Sequence, residues 1–201
     1  MARNDTEPAK RGRGRPPSAE VRRRILETAA VVLVENGVSE VTFDKVARRA
    51  GVSRMTLYKW FRSPASLALA AFEDTYADSL RPESTGDLWT DLRTHLRGFV
   101  ADLSEPRLGA MVAGLLGSAQ HDPALAGEIS GSYTRPRREG AAELLRAGQE
   151  RGQLPASVDV EVLVDQLWGA CYARLLLPEG VLDEAFADTL VANLRALSGT
   201  D

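Results

Sequence analysis

The sequence has few of the residues that build disulfide frameworks or membrane spans. One cysteine among 201 residues excludes an internal disulfide and any CxxC metal motif. No apolar run is longer than six residues, whereas a membrane-spanning helix needs about 18. The first 18 residues are polar and basic and lack the apolar segment of a secretory signal. These absences predict a soluble, cytoplasmic protein without a membrane partner.

Metal and cofactor binding have equally little support in the sequence. The two histidines, His95 and His121, stand 26 residues apart, and Cys171 is the only thiol. Metal sites place their histidine, cysteine and carboxylate ligands at short characteristic spacings, which these residues do not show. We therefore expect neither a metal nor a cofactor.

Charge is distributed unevenly along the chain. Residues 1–62 contain 14 basic and 7 acidic side chains, a net charge of +7. The other 139 residues contain 11 basic and 21 acidic side chains, a net charge of −10. This asymmetry predicts that the N-terminal part meets a polyanion while the rest has another role. On charge alone, a basic surface that is merely solvated remains the alternative.

Apolar residues recur at helical spacing, and aromatic residues make up only 6% of the chain. No alternating strand pattern of useful length is present, so the predicted fold class is all-α. Capping residues, glycines and prolines place the helix boundaries. The predicted helices cover residues 18–36, 43–50, 53–61, 64–79, 87–103, 107–119, 123–152, 159–177 and 183–197. Pro136 predicts a kink in the seventh helix, or its division into two.

Residues 42–61 meet the physical requirements of a helix-turn-helix, in which two short helices are joined by a three-residue turn. Ala47 is small enough for the two helices to touch, and Gly51 accepts the positive φ that the turn needs. Leu57 is the apolar residue that seats the second helix. Three further residues complete the buried face: Val46, Val52 and Phe61. Six side chains of the second helix then point outward: Arg54, Met55, Thr56, Tyr58, Lys59 and Trp60.

The segment TFDKVARRAGVSRMTLYKWF, residues 42–61, resembles the signature of the tetracycline repressor (TetR) family of bacterial regulators. The resemblance is close over residues 18–72. It implies a three-helix DNA-binding head, which we place at residues 18–62. It also implies a helical part, residues 63–201, that binds an effector and forms a homodimer. The implied DNA partner is a double-stranded, palindromic operator.

The resemblance implies a role for each position that matches the signature. Thr42 is expected to meet a phosphate where the second helix begins. The positions expected to reach base edges are Arg54, Met55 and Thr56, and those expected to contact the DNA backbone are Tyr58, Lys59 and Trp60. Three of these have a second interpretation: Arg54 as an ordinary solvated charge, Met55 as a cover for the helix junction, and Trp60 as packing against the first helix.

One position departs from the family pattern. Members often have a lysine about three residues after the position of Phe61, where it contacts phosphate. This chain has Pro64 there, and Arg62 is the candidate substitute.

The first 17 residues are predicted to be a disordered basic arm, because they lack apolar periodicity. Within this arm, the segment KRGRGRPP, residues 10–17, resembles an AT-hook core. Arg13 and Arg15 would then lie in the minor groove, whose negative potential attracts arginine. The alternative is a tail that adds only salt-sensitive affinity.

The acidic part is predicted to provide the dimer interface and the effector pocket. Apolar stripes on its last two helices predict a four-helix interface between two chains. The interface candidates are Leu163, Leu167, Phe186, Leu190 and Leu194. The pocket candidates are Trp89, His95, Phe99, Met111, Gln120, Trp168, Cys171 and Tyr172. Both sets have the alternative of belonging only to the chain's own core.

The predicted function is that of a homodimeric repressor, not an enzyme. A small-molecule effector is expected to shift the helix that begins at Pro64 and so change the spacing of the two heads. One alternative is a helical-bundle enzyme with Cys171 as nucleophile and His95 or His121 as base. The other is a protein-binding adaptor whose basic head is merely solvated.

Overall fold

A computed structural model describes residues 18–76, 84–177 and 179–198. Ten α-helices lie in these residues: α1 (Ser18–Asn36), α2 (Phe43–Ala50), α3 (Arg54–Trp60), α4 (Pro64–Tyr76), α5 (Leu88–Ser104), α6 (Pro106–Ala119), α7 (Pro123–Ile129), α8 (Arg135–Glu150), α9 (Val160–Leu176) and α10 (Glu184–Ser198). A 3₁₀ turn follows α1, and a π-helical segment joins α7 to α8. The described residues contain no strand, and the all-α prediction is confirmed.

The helix-turn-helix forms because each of its boundaries has a residue suited to it. Thr42 caps α2 by accepting a hydrogen bond from the Lys45 backbone N–H at 3.2 Å. Gly51 ends α2 in the left-handed conformation, with φ +65°, where a side chain would be strained. Ser53 caps α3 by accepting from the Thr56 backbone N–H. Leu57, which has no exposed surface, then seats α3 in the core of the head.

Helix α4 connects the head to the rest of the chain. It packs along α1 and also contacts α6 and α7. Ser63 caps it by accepting from the Ser66 backbone N–H at 3.1 Å, and Pro64 occupies its first position, where a missing N–H costs nothing. The predicted extension of this helix to residue 79 lies outside the described residues.

The helix predicted at residues 123–152 is divided in two, as Pro136 suggested. Helix α7 ends at Ile129, and α8 begins at Arg135 with Pro136 in its first turn. The π-helical segment Ser130–Thr134 lies between them. Proline lacks an N–H and crowds the carbonyl four residues earlier, so the regular hydrogen-bond ladder cannot continue through it.

Helix α5 lies at the centre of the C-terminal part, in contact with α6, α8, α9 and α10. Its buried face includes Leu92, Leu96 and Phe99. This placement sets the side chains of α5 opposite those of α8 and α9. The buried polar groups described below lie at this meeting of three helices.

Candidate nucleic-acid interface

Helix α3 presents a continuous exposed surface beside its buried Leu57. Met55 is 75% exposed and Tyr58 is 52% exposed, and Arg54 and Lys59 are also exposed. The high exposure of Met55 contradicts its second interpretation as a cover for the helix junction. A short, capped helix with these side chains outward is shaped to enter a major groove.

Two contacts hold the exposed side chains of α3 in place. Tyr58 packs edge-on against the buried Phe43 ring, with ring centroids 4.7 Å apart. Arg54 lies 3.1 Å from Asp44 of α2, and hydrogen bonding to Tyr58 followed by this carboxylate raises the pKa of the arginine. The ion pair is exposed and therefore weak. Breaking this ion pair therefore costs little free energy, and Arg54 is able to leave Asp44 for another partner.

The hydroxyl groups at the helix starts have different surroundings. Thr42 is exposed, and its oxygen accepts the capping bond, which leaves its O–H able to donate to a phosphate. Thr56 is half-buried, and its hydroxyl lies 2.9 Å from the Ser53 hydroxyl. Thr56 is thus the less accessible of the two predicted contacts.

Trp60 differs from the other predicted contacts because it is half-buried and packs against the core. It lines a crevice together with Phe61 and with Arg22 of α1. This placement favours the second interpretation, in which Trp60 packs against the first helix.

Arg62 is engaged within the protein and does not replace the family's phosphate-binding lysine in this conformation. It donates to both carboxylate oxygens of Asp122, at 3.1 and 3.2 Å, and to Glu128 at 3.3 Å. Glu128 also accepts from the Ser66 hydroxyl of α4 at 2.6 Å. These bonds connect the end of the head, the start of α4 and helix α7.

The predicted contacts Arg13 and Arg15 belong to the arm at residues 1–17, which lies outside the described residues. The minor-groove interpretation of this arm therefore stays a prediction.

The predicted pocket residues fall into two groups. Four of them form one aromatic cluster between α5 and α9: His95, Phe99, Trp168 and Tyr172. Ring centroids in it are 5.4 Å apart for the His95–Trp168 pair and 5.4 Å for the Phe99–Tyr172 pair.

The other four predicted pocket residues have different surroundings. Trp89 is six residues before His95, about 9 Å along α5, and lies near Arg195 of α10. Gln120 is exposed at the end of α6 and donates to its own helix at Leu116. Met111 is buried on α6, and Cys171 is buried on α9 with its thiol donating to the Leu167 carbonyl. Burial raises the pKa of Cys171 to about 12, so the thiol stays protonated.

Burial lowers the pKa of His95, and the nearby positive charge of Arg137 lowers it further. An unfolded histidine titrates near pH 6.5, so below that pH the unfolded chain takes up a proton that the folded chain resists. The free energy of unfolding should therefore fall as the pH drops from 7.5 to 5.5. Replacing His95 with Gln should reduce this pH-dependent loss by about 1 kcal/mol.

Urea unfolding of the wild type and the variant at both pH values measures the effect. His121→Gln, at an exposed histidine, is the matched control and should retain the wild-type pH dependence. An unchanged pH dependence in His95→Gln would show that His95 titrates as it does in the unfolded chain.

Sequence reasoning missed two residues beside the aromatic cluster, Tyr133 and Arg137. Both lie around the break between α7 and α8, where the helical pattern is interrupted by Pro136. Their one signal is the spacing of an aromatic and a cationic residue four apart, which places them on one helix face. Only the packing of α8 against α5 brings them to the cluster.

The predicted interface residues also separate into two groups. Leu163 and Leu167 are 4% and 3% exposed, because their stripe on α9 faces the chain's own core. They therefore offer no surface to a second chain in this conformation. Phe186, Leu190 and Leu194 on α10 are half-buried against the same core and retain part of their surface.

The described part of the chain gathers no group of three or more His, Cys, Asp or Glu residues able to hold a metal ion. Within the same ranges, every helix is too short or too polar to cross a membrane.

Both halves of the sequence match models of known protein families. The model "Bacterial regulatory proteins, tetR family" matches residues 25–71, which contain the helix-turn-helix. The model "Tetracyclin repressor-like, C-terminal domain" matches residues 82–194. The second match alone covers more than half of the chain.

Individual relatives agree with these models. The uncharacterized HTH-type transcriptional regulator YdeS of Bacillus subtilis is 34% identical over 193 residues, which are 94% of this chain and 97% of that protein. The DNA-binding transcriptional repressor TetR of Mycobacteroides abscessus is 28% identical over 169 residues, 83% and 87% of the two chains. The crystal structure of the TetR family transcription regulator SCO0332 superposes with a TM-score of 0.74 at 43% identity, covering 88% of this chain and 97% of that one. The chain therefore belongs to the TetR family of helix-turn-helix transcriptional regulators.

Proposed function

We propose that this protein is a homodimeric repressor that binds a palindromic operator and releases it when a small molecule binds the C-terminal part. The observation that supports the proposal best is the exposed face of helix α3. The helix is capped at Ser53 and held against the head by the buried Leu57, and its opposite face is open to solvent. A relative of similar sequence is named a DNA-binding transcriptional repressor. A repressor needs only to occupy its operator, so no catalytic group is required.

In this proposal, α3 lies in the major groove with Arg54 and Met55 facing base edges. Arginine recognises guanine through two parallel hydrogen bonds, and the Met55 side chain provides apolar contact. The Tyr58 hydroxyl, Lys59 and Thr42 bind phosphates on either side and fix the register of the helix. Trp60 supports α3 from behind and makes no base contact.

Release follows from the connections of α4 and Arg62. Helix α4 contacts the head through α1 and the C-terminal part through α6 and α7. Arg62 joins the end of the head to Asp122 and Glu128 near α7. An effector that moves α6 or α7 therefore tilts both heads and changes the distance between them. Release requires only that the effector bind the conformation with the mismatched head spacing more tightly, by a few kcal/mol.

For the dimer interface, the exposed face of α9 is a better candidate than its buried stripe. Residues at helical spacing line this face: Val162, Gln166, Gly169, Ala173 and Leu176. Val162 and Leu176 are each 51% exposed, and the other three residues of this face, Gln166, Gly169 and Ala173, are uncharged. Small side chains allow two helices to approach closely, and a two-fold axis through such a face places two heads on a palindrome.

Arg54→Ala and Tyr58→Phe test the assignment of α3. DNA fragments that the purified protein retains from its own genome supply the operator, and fluorescence anisotropy measures affinity. Arg54→Ala should cost about 1–3 kcal/mol and relax the preference at one base pair. Tyr58→Phe should weaken binding to every sequence by about 1 kcal/mol, because the hydroxyl's bond to phosphate is lost together with its bond to Arg54.

Arg146→Ala provides the matched control, since Arg146 is an exposed arginine on α8 that is paired with Glu161. It should leave the affinity for operator unchanged. If Arg54→Ala and Tyr58→Phe behave like this control, the assignment of α3 to the major groove is wrong. An adaptor with a solvated basic head would show no steep fall of DNA affinity with salt.

A further inference from the structure

A cationic side chain without a carboxylate partner lies beside the aromatic cluster. Arg137 of α8 is half-buried, and its Cζ lies 3.8 Å from the centroid of the Tyr133 ring. Its Nη1 donates to the Tyr133 carbonyl oxygen at 2.9 Å. Among the described residues, this guanidinium takes part in no ion pair, and the Tyr133 carbonyl is its one hydrogen-bond acceptor.

Stability favours pairing the most desolvated arginine with a carboxylate, and Arg137 departs from this. Arg62, Arg97 and Arg138 are more exposed to solvent, and each pairs with a carboxylate. Arg137 is the more desolvated, and burial lowers its pKa. Buried charges are costly unless they are paired and hydrogen-bonded. A residue that is kept in such a setting is a candidate for binding an anion.

The neighbours of Arg137 are also rich in donors. The indole Nε1 of Trp168 is buried and has no hydrogen-bond partner. Tyr133 and Tyr172 lie close to each other and to Arg137, and burial raises the pKa of both phenols, which keeps them protonated. Burial likewise keeps His95 neutral. The cluster therefore offers one positive charge and, in Trp168, one buried N–H without an acceptor. The two phenols are hydrogen-bonded to each other.

One acidic residue, Asp102 of α5, limits which anion fits. It lies in the electrostatic field of Arg137 but forms no ion pair with it. Asp102 also lines a groove of about 700 Å³ formed by the ends of α1, α4 and α5 and the start of α6. One guanidinium beside a carboxylate suits a monoanion better than a doubly charged phosphate.

We propose that the effector is a small carboxylate with an aromatic or apolar body, held between α5, α8 and α9 by the guanidinium of Arg137. This inference rests on the repressor function proposed above. The planar carboxylate accepts two parallel N–H bonds from the guanidinium. The body of the ligand lies against Phe99, Trp168 and Tyr172, where the Trp168 N–H can donate to a further acceptor.

The test uses the full chain and two pairs of probes: benzoate with benzamide, and octanoate with octanamide. Thermal unfolding and tryptophan fluorescence report binding without DNA. At about 10 mM, at least one carboxylate should raise the melting temperature by about 2–5 °C, while its amide should not. Arg137→Met should lower the affinity of the protein for that carboxylate by about 10- to 100-fold. Arg135→Met, at an exposed arginine of the same helix, should not.

Arg137→Lys keeps the charge without the planar fork and provides the test if Arg137→Met fails to fold. It should weaken binding of the carboxylate by about 10-fold. The inference is overturned if neither carboxylate protects the protein, if the amides protect equally, or if the Arg137 variants retain full binding. Operator binding by the wild type is measured separately, so failure of the repressor function would appear there and not in the probe experiment.

Discussion

Gly169→Arg is expected to convert the dimer into a folded monomer that has lost most of its affinity for operator. Gly169 is exposed at the middle of the α9 face, and a Cβ added there meets no atom within 4 Å. Arginine also has a higher helix propensity than glycine, by up to about 1 kcal/mol. The isolated chain should therefore fold normally. A second chain packed on this face would meet a long, charged side chain that it cannot accommodate.

The expected loss of affinity is large because, in the proposed complex, the two heads bind their half-sites as one unit. Joining two binding modules raises affinity by about 10²–10⁴-fold, and a monomer loses this gain. Analytical ultracentrifugation should report the monomer mass of 21.8 kDa. Anisotropy titrations should show at least a 100-fold loss on the palindrome, with unchanged affinity for a single half-site.

Gly98→Arg provides the control for this experiment. Gly98 is an exposed glycine on α5, and a Cβ there also meets no atom within 4 Å. This variant should remain dimeric and bind operator normally. A Gly169→Arg protein that stays dimeric would place the interface elsewhere on the chain, and the exposed surface of α10 would be the next candidate.

Leu57→Ala is expected to lower the free energy of unfolding by about 2–5 kcal/mol and to abolish operator binding. Leu57 is completely buried and is the residue that seats the seven-residue helix α3 against the head. Its removal leaves a cavity that so short a helix cannot fill by rearranging, because its N-terminal end is fixed by the cap at Ser53 and by the turn at Gly51. Helix α3 would then be lost from the interface.

Met55→Ala on the same helix is the matched comparison. It removes a side chain of similar size, but one that is 75% exposed, so the free energy of unfolding should change by less than about 0.5 kcal/mol. Affinity for operator should still fall, because Met55 faces the bases in the proposed complex. Urea unfolding and anisotropy measure the two quantities. Equal losses of stability in both variants would contradict the docking of α3 on Leu57.

Local chemistry explains why the head could be predicted from the sequence. The N-caps Thr42 and Ser53 and the positive φ at Gly51 depend on residues within a few positions of each other, and the structure places each of them as predicted. The same is true of the division around Pro136, where the missing N–H acts on its own helix. The exposed face of α3 followed directly from the burial of Leu57.

Contacts between distant helices of the C-terminal part could not be predicted from local sequence. Apolar periodicity on α9 indicated a buried stripe, but it could not distinguish the chain's own core from a partner, and Leu163 and Leu167 face the core. Arg62 had the charge to bind phosphate, yet Asp122 and Glu128, 60 and 66 residues away, hold it instead. Such outcomes depend on which helices meet, and no local pattern specifies that.

The sequence by itself determined the all-α fold, the helix-turn-helix and the family, because these follow from helix periodicity, caps and one turn. The tertiary structure alone decided which charges are satisfied. It left Arg137 without a carboxylate among aromatic rings, since the packing of α8 against α5 and α9 brings together groups that are distant along the chain. Whether a buried charge is paired depends on which residues lie beside it in the folded protein. For that reason the proposed anion site could be inferred only from the tertiary structure.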